Sequence, residues 1–347
     1  MSDRSADQLV SVVMPVHNAR PYLDAAVRSI LDQSHRNIEF VIYDDGSTDG
    51  SAERLRELAR QDSRIRLHEG ERNLGPAHSS NLVVEKSTGT IVARMDADDI
   101  SHPDRIDRQL AILSAEPDVG LVGTLCDIID AQDRKLRGTE PWRVIRNSWF
   151  APFPHGSIMF RRELFDRVGG YRPQCEYWED QDLVLRMAAK TDIVVLPQPL
   201  YQHRQSTAST RVASDQQQVE RAVDLMYRSM ERLKQNQPYD DLLDSGPSSE
   251  KLDPRVFISL GSLVLWTGRK PHLLRRMLAR AKLRPNLKTA TSLVWTTWAS
   301  VSPATLRMFI RFLVRARHSA SRVGTRHDQP IRWSLPNRHL IGSQEGE

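Results

Sequence analysis

The first half of the chain alternates short apolar runs with amphipathic segments. The runs at residues 9–16 (LVSVVMPV), 38–43 (IEFVIY) and 91–95 (IVARM) have the continuous hydrophobicity that is typical of strands buried on both faces. Between the first two runs, apolar side chains recur every three or four positions through residues 22–31, which predicts an amphipathic helix. Strands that alternate with helices indicate an α/β domain in which crossover helices join the strands.

The alternation continues to about residue 210, and helical, basic sequence follows it. Further strands are predicted at residues 65–68, 119–129 and 193–196, and further helices at 51–60, 77–84, 103–115 and from 179 onwards. Residues 216–234 again have a helical pattern, and residues 237–254 have the composition of a loop. We therefore predict an α/β domain over residues 1–215 and a helical, basic region over residues 216–347.

Charge divides the chain at the same place. The 347 residues carry a net charge of +5, but residues 1–215 hold 27 Lys and Arg against 33 Asp and Glu, whereas residues 216–347 hold 22 against 11. A basic block of this size predicts a polyanionic neighbour, which is a phospholipid surface, a nucleic acid or a phosphate-bearing substrate.

The cysteines and the uncharged stretches exclude some classes of protein. Cys126 and Cys175 are isolated, so we expect neither a disulfide framework nor a paired-cysteine metal site. A membrane span needs roughly 20 consecutive apolar residues, and the longest uncharged stretches, at residues 256–268 and 289–306, are short or rich in Thr and Ser. Residues 1–16 lack the pattern of a secretory signal. We therefore expect a protein of the cytoplasm.

Two aspartates follow the strand at residues 91–95. Asp96 and Asp98 stand two positions apart where the chain turns, so both carboxylates can bind one Mg²⁺ or Mn²⁺ whose remaining ligands are water and phosphate. The alternative is structural, because Asp99 or Ser101 can cap the helix that follows.

A second acidic cluster follows the strand at residues 38–43. Asp44 or Asp45 can accept hydrogen bonds from a nucleobase or a ribose, and Gly46 permits a close backbone approach. A turn followed by a helix cap would use the same residue types. Because ligands bind at the carboxyl ends of parallel strands, both acidic clusters can face one cleft.

A third acidic group begins the helix at residue 179. Asp180 is a candidate general base, although a helix N-terminus stabilises the anionic form and makes it a weak one unless burial raises its pKa. Glu179 and Asp182 can instead be ordinary acids of the first helical turn.

The order of these motifs along residues 9–210 is informative. The chain resembles the family 2 glycosyltransferases of the GT-A fold, in which a mixed, mainly parallel sheet lies between helices and binds a nucleotide-sugar. The motifs that carry the resemblance are PVHN (15–18), DDGSTD (44–49), NLG (73–75), MDADD (95–99), HGSIMFRR (155–162), GGY (169–171), WEDQDL (178–183) and YQHRQSTAST (201–210).

The resemblance implies a role for each motif. It implies that the nucleotide pocket is lined by Pro15, Val16 and one of the pair Asp44 and Asp45, and that Asp96 reaches the ribose or the metal. It implies that Asp98 binds Mg²⁺ or Mn²⁺ on the diphosphate and that His203 lies against the metal or the diphosphate. It implies that Asp180 deprotonates the acceptor hydroxyl, and that the pocket for donor and acceptor includes Asn73, Gly75, His155, Gly156 and Glu179.

The activity that the resemblance implies is metal-dependent transfer of a sugar, with inversion, from a nucleotide-diphosphate donor. We expect a UDP-sugar donor and a hydroxyl acceptor in cell-surface polysaccharide, lipopolysaccharide or lipid-linked glycan synthesis. The chain departs from the family pattern at its first motif, because P-x-Y-N-E is common there and this chain has His17 and Ala19 in place of Tyr and Glu. No processivity motif of the Q-x-x-R-W type follows residue 180, so we expect transfer of a single sugar.

The basic region has segments that mix Lys and Arg with apolar side chains, at residues 273–283 and 306–317, with Trp295 and Trp298 between them. This composition is typical of helices that lie on an anionic membrane surface, so we expect peripheral attachment at the cytoplasmic face of the membrane. The alternative is a solvated helical appendage packed on the α/β domain.

Two other classes of protein remain open on this reasoning. The basic region could bind nucleic acid beside a degenerate α/β domain, but no recognised nucleic-acid motif accompanies the charge, so no nucleic-acid partner is expected. A metal-dependent nucleotidyltransferase also uses acids on an α/β sheet, but it should have a glycine-rich phosphate loop after the first strand, and PVHNARPY is not one.

Overall fold

The structure is a computed structural model that describes residues 7–138, 151–175, 178–205 and 329–334, together with single residues between 225 and 243. These residues belong to one compact unit formed by Met1–Ser245 and His327–Glu347. The basic segments expected at a membrane surface, and most of the helix predicted at 216–234, lie outside the described residues.

Four parallel strands form the first half of one mixed sheet. Their order is β3-β2-β1-β4. The strands are β1 (Val10–Val16), β2 (Ile38–Asp44), β3 (Ile65–Glu69) and β4 (Ile91–Arg94), and the helices between them are α1 (Leu23–Leu31), α2 (Ser51–Gln61) and α3 (Pro76–Glu85). The crossover connections predicted from the apolar pattern are confirmed.

The second half of the sheet is mixed in direction. Strand β8 lies between β4 and β6 and runs antiparallel to both, whereas β6 and β9 are parallel. The elements are β5 (Ile100–Ser101), α4 (Arg105–Ala115), β6 (Val119–Ile129), β7 (Lys135–Gly138), β8 (Met159–Arg161), α5 (Arg162–Arg167), α6 (Glu179–Lys190), β9 (Asp192–Arg204) and β10 (Ile331–Trp333). The expected α/β architecture with a mixed, largely parallel sheet is therefore confirmed.

Burial of the central strand explains its sequence. Val10, Val12 and Met14 are fully buried and pack in the same cluster as Leu23 and the other apolar residues of α1. Val13 points to the opposite side of the strand and is buried as well. A strand covered on both faces needs apolar residues at successive positions, and this is why residues 10–16 do not alternate with polar ones.

Strand β9 is longer than its predicted extent of residues 193–196. Pro197 and Pro199 interrupt the apolar pattern, and proline cannot donate to the ladder of hydrogen bonds. The pairing of β6 with β9 shifts register around Leu125, so the sheet continues past both prolines to Arg204. This extension carries the YQH motif to the site.

A strand from the end of the chain completes the sheet. The sequence pattern predicts only helices after residue 216, but Ile331–Trp333 pairs antiparallel with β9. Trp333 is buried and meets the ring of Phe153 edge to face, with 6.2 Å between the ring centroids. Three residues are too few to produce a strand pattern in the sequence, and the neighbouring edge of β9 supplies the pairing.

Among the residues that the structure describes, no helix has the length and apolar character that crossing a membrane requires.

Candidate active site

The acidic clusters meet at one edge of the sheet. Val16 pairs with Asp44 at the end of β2, and Val13 pairs with Arg94 at the end of β4, so the loops after β2 and β4 both lie beside the end of β1. Pro15 and Val16 are the last two residues of β1, and the Val16 carbonyl accepts a hydrogen bond from the Asp45 backbone N–H at 2.7 Å. The nucleotide and metal residues predicted from sequence therefore share one cleft edge.

Asp44 and Asp45 are both buried, but their carboxylates have different partners. Both oxygens of Asp45 accept backbone N–H groups, from Leu74 at 2.9 Å and from Gly75 at 3.0 Å. Asp44 Oδ2 accepts the N–H of Ser47 at 3.1 Å, whereas Asp44 Oδ1 has no hydrogen-bond partner in the described part of the protein. A buried carboxylate oxygen without a partner is costly unless a ligand supplies a donor, which makes Asp44 the better candidate for the nucleotide.

Gly46 allows two loops to approach closely. Its φ is +66°, and a Cβ on it would lie 2.7 Å from the carbonyl carbon of Arg72. The adjacent Asn73 accepts the Gly75 N–H at 2.8 Å and so closes the turn that begins α3. Asn73 and Gly75 therefore build the loop beside Asp45.

His17, which replaces the usual Tyr of the family motif, is held by three contacts. Its Nδ1 lies 2.8 Å from the Asp45 carbonyl, and its Nε2 lies 3.1 Å from the side-chain nitrogens of both Asn18 and Asn73. The carbonyl can only accept and the amide nitrogens can only donate, so the tautomer that satisfies all three contacts has its proton on Nδ1. His17 thus joins the loops after β1, β2 and β3.

Asp96 lies against buried side chains. Its carboxylate pairs with Arg94 at 3.2 Å, and its backbone N–H donates to the Tyr201 hydroxyl at 3.2 Å. A Cβ on Gly156 would lie 2.0 Å from that hydroxyl and 2.7 Å from Asp96 Oδ2, so only glycine fits there. Burial raises the pKa of Asp96, and Arg94 opposes the rise.

The rest of the aspartate cluster lies against the end of β9. Asp99 is fully buried and accepts the backbone N–H of Arg204 at 2.7 Å and His203 Nδ1 at 3.2 Å. Burial raises the pKa of Asp98 to about 7, and the charges of Asp99 and Asp96 add to this effect. Burial lowers the pKa of His203, but the three carboxylates outweigh it and raise that pKa to about 9.

This cluster suits a divalent cation. Within the described ranges, no group of three or more His, Cys, Asp or Glu side chains is arranged as a metal cage. However, Mg²⁺ and Mn²⁺ sites that serve phosphate substrates often use one or two carboxylates and complete their shell with water and phosphate oxygens. Asp99 is committed to β9 and one oxygen of Asp96 to Arg94, which leaves Asp98 as the carboxylate best placed to bind a cation, with Asp96 beside it. The excess negative charge that raises the pKa of Asp98 is the charge that a cation would balance.

The acidic residues at the start of α6 interact electrostatically with the side chains around Asp96. Glu179 is buried, and its charge adds to the effect of burial in raising the pKa of Tyr171. Burial, in the first place, raises the pKa of Tyr171 to about 12, and Asp180 also contributes. The Tyr171 ring lies 5.7 Å from the Arg94 guanidinium, so residues of the ED motif reach the same cluster as Asp96.

His155 and the glycine pair before Tyr171 support that ring. His155 Nε2 lies 2.7 Å from the Tyr171 hydroxyl, and Asn81 in α3 exchanges two 2.8 Å hydrogen bonds with the Tyr171 backbone. Gly170 has a φ of +66° and packs against Asn81. The GGY motif therefore orients one tyrosine between α3 and the site.

Three buried arginines were not singled out by the sequence analysis. Arg105 is fully buried, donates to the carbonyls of Arg94 and Gly156 and lies 5.5 Å from the Tyr201 ring. Arg204 donates to the Asp98 carbonyl at 2.6 Å. The third buried arginine is Arg94. The sequence could have pointed to it, because it is a charged residue inside the apolar run IVARM, which ends directly before Asp96.

Comparison with known proteins identifies the family of the chain. The family model described as "Glycosyl transferase family 2" matches residues 11–175. The glycosyltransferase EpsE of Bacillus subtilis (strain 168) is 32% identical over 236 residues, which are 65% of this chain and 83% of EpsE. The chain belongs to glycosyl transferase family 2. A second relative, the teichuronic acid biosynthesis glycosyltransferase TuaG of the same organism, is 41% identical over 105 residues, which are 30% of this chain and 42% of TuaG.

Solved structures show the same fold. The mannosyltransferase PcManGT from Pyrobaculum calidifontis, in complex with GDP-Man and Mn²⁺, superposes with a TM-score of 0.56 at 20% identity, over 86% of this chain and 82% of the other. S. aureus TarS 1–349, in complex with UDP-GlcNAc, superposes with a TM-score of 0.53 at 14% identity, over 84% and 91% of the two chains. These likenesses show that the chain shares its fold with these two solved proteins.

Proposed function

We propose that this protein is an inverting glycosyltransferase that moves one sugar from a nucleotide-diphosphate donor to a hydroxyl acceptor of a cell-surface polysaccharide, lipopolysaccharide or lipid-linked glycan. The observation that carries the proposal is the meeting of two acidic loops at one edge of the sheet, beside the Arg94–Tyr171 contact. The loops after β2 and β4 lie side by side there, and the charges of Glu179 and Asp180 reach Tyr171 in the same cluster.

The donor nucleotide would lie at the ends of β1 and β2. Asp44 Oδ1 is the buried acceptor that a nucleobase N–H or a ribose hydroxyl can satisfy, beside Pro15 and Val16. Asp45 would contribute indirectly, because it holds the loop at Leu74 and Gly75 in place. Asp96, fixed by Arg94, would face the ribose or the metal.

Asp98, with Asp96, would hold Mg²⁺ or Mn²⁺. A divalent cation in this position stabilises the negative charge that develops on the leaving diphosphate. His203 faces the same charge, and with a pKa of about 9 its imidazolium can donate a hydrogen bond to a phosphate oxygen. Because Nδ1 is directed to Asp99, Nε2 is the atom available for that contact.

Asp180 would accept the proton of the acceptor hydroxyl. Asp180 Oδ1 accepts the backbone N–H of Gln181 at 2.7 Å in the first turn of α6, where the helix N-terminus stabilises negative charge. A hydroxyl becomes acidic only as its bond to the anomeric carbon forms, so the carboxylate takes the proton late in the reaction. One base and one displacement produce inversion at that carbon.

Relatives support the substrate class. TuaG is named for teichuronic acid biosynthesis. PcManGT was solved with GDP-Man and Mn²⁺, and TarS 1–349 with UDP-GlcNAc, so both pyrimidine and purine donors occur on this fold. We propose a UDP-sugar as the first donor to test and a lipid-linked or polysaccharide hydroxyl as the acceptor. The basic C-terminal region would hold the protein peripherally at the cytoplasmic face of the membrane, near such an acceptor.

The decisive experiment measures release of nucleoside diphosphate from UDP-, GDP- and dTDP-sugars by the full-length protein, with and without Mn²⁺. We expect nucleoside diphosphate to be released from one of the donors, and only when Mn²⁺ is present. NMR of the product should show that the anomeric configuration has been inverted. Asp180→Asn should lower kcat by about 10²–10⁴-fold, since the acceptor loses its base. Asp166→Asn, which removes the same charge from an exposed position of α5, should leave kcat unchanged. Retention of configuration, or wild-type turnover by Asp180→Asn, would refute the mechanism.

A further inference from the structure

Asp182, two residues after the proposed base, is the anchor of helix α6. It is fully buried, and its Oδ2 accepts Arg186 Nε at 2.9 Å and also Arg186 Nη2. Its Oδ1 accepts the Tyr239 hydroxyl at 2.6 Å. A buried carboxylate is stable only when its partners compensate the loss of water, so the position of this part of α6 depends on both contacts.

Tyr239 comes from beyond the region that matches the family model. The matched residues end at 175, and the α/β pattern itself ends near residue 210. Tyr239 is nevertheless buried, with 4% of its surface exposed, and its ring lies 5.3 Å from the guanidinium of Arg172. Burial and the charge of Asp182 raise its pKa, so the hydroxyl keeps its proton and remains a donor.

The same anchor connects α6 with the GGY turn. Arg186 Nη1 donates to the Val168 carbonyl at 2.6 Å, directly before Gly169 and Gly170. Arg172, on the other side of the turn, lies 3.8 Å from Asp182 Oδ1. Asp182 therefore has partners on its own helix, at Arg172 after the turn that presents Tyr171, and in the C-terminal part of the chain, and Arg186 connects it to the residue before that turn.

We propose that Tyr239 is a positioning residue for catalysis: through its hydrogen bond to Asp182 it fixes the first turn of α6, and with it the carboxylates of Glu179 and Asp180. The inference rests on the proposed role of Asp180 as base. It assigns to the C-terminal part of the chain a contribution to the active site, separate from any membrane attachment. Catalytic groups need to be held within a fraction of an ångström, so loss of one anchoring bond lowers turnover more than binding.

The test removes a single hydroxyl. Tyr239→Phe should lower kcat about tenfold or more while the donor KM stays within about twofold, because the nucleotide residues on β1, β2 and β4 are untouched. The matched control is Thr191→Val at the opposite end of α6, which removes the 3.0 Å hydrogen bond from Thr191 Oγ1 to the Asp118 carbonyl. The control should keep wild-type kcat even where its melting temperature falls as far as that of Tyr239→Phe.

A double-mutant cycle keeps the proposal testable if stability also falls. Asp182→Asn should lower kcat in the same way, and the combined variant should lose no more than the larger single loss, since both changes act through one contact. Independent, additive losses would overturn the proposal. So would a Tyr239→Phe enzyme whose kcat matches that of wild type or falls only as far as that of Thr191→Val.

An activity-free measurement separates this inference from the proposed function. The Asp182 backbone N–H donates to the Trp178 carbonyl at 3.0 Å, so its hydrogen exchange reports the order of the first turn. Tyr239→Phe should speed exchange there and leave the Thr191 amide, bonded to Met187, unchanged. Unchanged exchange at Asp182 would refute the positioning role even if sugar transfer is confirmed. Faster exchange in a protein that transfers no sugar would uphold the anchor and refute only the proposed reaction.

Discussion

At the scale of single residues, two adjacent aspartates of identical chemistry have different surroundings. Sequence reasoning could assign the nucleotide only to one of Asp44 and Asp45. In the structure Asp45 satisfies two backbone N–H groups of the Leu74–Gly75 loop, and Asp44 keeps one buried oxygen without a partner among the described residues. The chemical difference lies entirely in what the chain brings next to each carboxylate.

These surroundings predict opposite effects of the same substitution. Asp44→Asn should weaken nucleoside diphosphate binding and change the melting temperature of the free protein little. Asp45→Asn should cost about 1–3 kcal/mol of stability, because an amide NH₂ replaces one of two acceptors for backbone N–H groups. Thermal shift measures both effects, since a ligand at 100 times its Kd adds about 2.7 kcal/mol. A full nucleotide-induced shift in Asp44→Asn would contradict the assignment.

Glu39, a buried glutamate at the start of β2 and far from the acidic loops, is another carboxylate whose charge state depends on its surroundings. Glu39 Oε1 accepts Ser11 Oγ at 2.6 Å and Gly89 N–H at 3.1 Å, as well as both donors of Thr88, and Oε2 accepts Arg66. Burial raises its pKa, but these hydrogen bonds outweigh burial and lower the pKa from 4.5 to about 2. The charged form of Glu39 therefore ties β1, β2 and the turn before β4 together.

Because of this lowered pKa, the free energy of unfolding depends on pH in the acidic range. Because the folded pKa lies below the unfolded one, the contribution of Glu39 is fully present above about pH 4.5 and is lost as the pH falls toward 2. Glu39→Gln should cost about 2 kcal/mol at pH 7 and flatten the loss between pH 4.5 and 2, as measured by urea unfolding at each pH. Glu71→Gln, at an exposed position, is the charge control. An unchanged acid limb in Glu39→Gln would show that another group is responsible.

At the scale of elements, neighbouring residues of one short strand face different surroundings, one in the core and one on the surface. In β10, Trp333 is 1% exposed and packs on Phe153, whereas Arg332 is on the surface and pairs with Glu116 and Asp192. The alternation follows from the two-residue period of a strand. The strand thus attaches to the sheet through two buried apolar side chains, of which Trp333 is the larger and Ile331 the smaller.

We expect Trp333→Ala to cost about 3–5 kcal/mol of unfolding free energy, because it empties a buried site in a packed core. Arg332→Ala should cost less than about 1 kcal/mol, since its ion pairs are exposed and screened by solvent. Equilibrium denaturation of the two variants measures both costs. Equal costs, or a Trp333→Ala protein as stable as wild type, would show that β10 contributes little to the fold.

At the scale of the whole molecule, charge is separated along the chain. The acidic part holds the sheet and the site, and the basic part holds the mixed basic and apolar segments at residues 273–283 and 306–317. Each Lys or Arg near an anionic surface contributes about 1 kcal/mol of binding, so a few of them suffice for attachment. An acceptor carried on a lipid would then meet the catalytic part at the membrane.

Vesicle flotation tests this arrangement. The full chain should float with phosphatidylglycerol vesicles at low salt, remain in solution with phosphatidylcholine alone, and detach as salt rises. Arg275→Gln with Arg276→Gln should weaken flotation, whereas Arg134→Gln with Lys135→Gln, two exposed basic residues beside β7, should not. Absence of flotation with the anionic vesicles would exclude membrane attachment through the basic region.

Much of the fold and the outline of the site could be predicted from the sequence. The strands β1, β2, β3, β4 and β6 and the start of α6 agree with their predicted bounds within one or two residues, because continuous apolar runs and helical spacing are local signals. The extent of β9 and the presence of β10 could not be predicted. Their residues are strand because of the partners that the fold supplies.

What the sequence by itself determined was the α/β class, the order of the acidic motifs and the family, since each depends on residues close together in the chain. Only the tertiary structure decided which carboxylates are committed and which are available. Arg94 pairs with Asp96, His203 and Arg204 occupy Asp99, and Tyr239 reaches Asp182 from 57 positions away. Burial and long-range pairing set the state of a charged group, and neither is written in its immediate sequence.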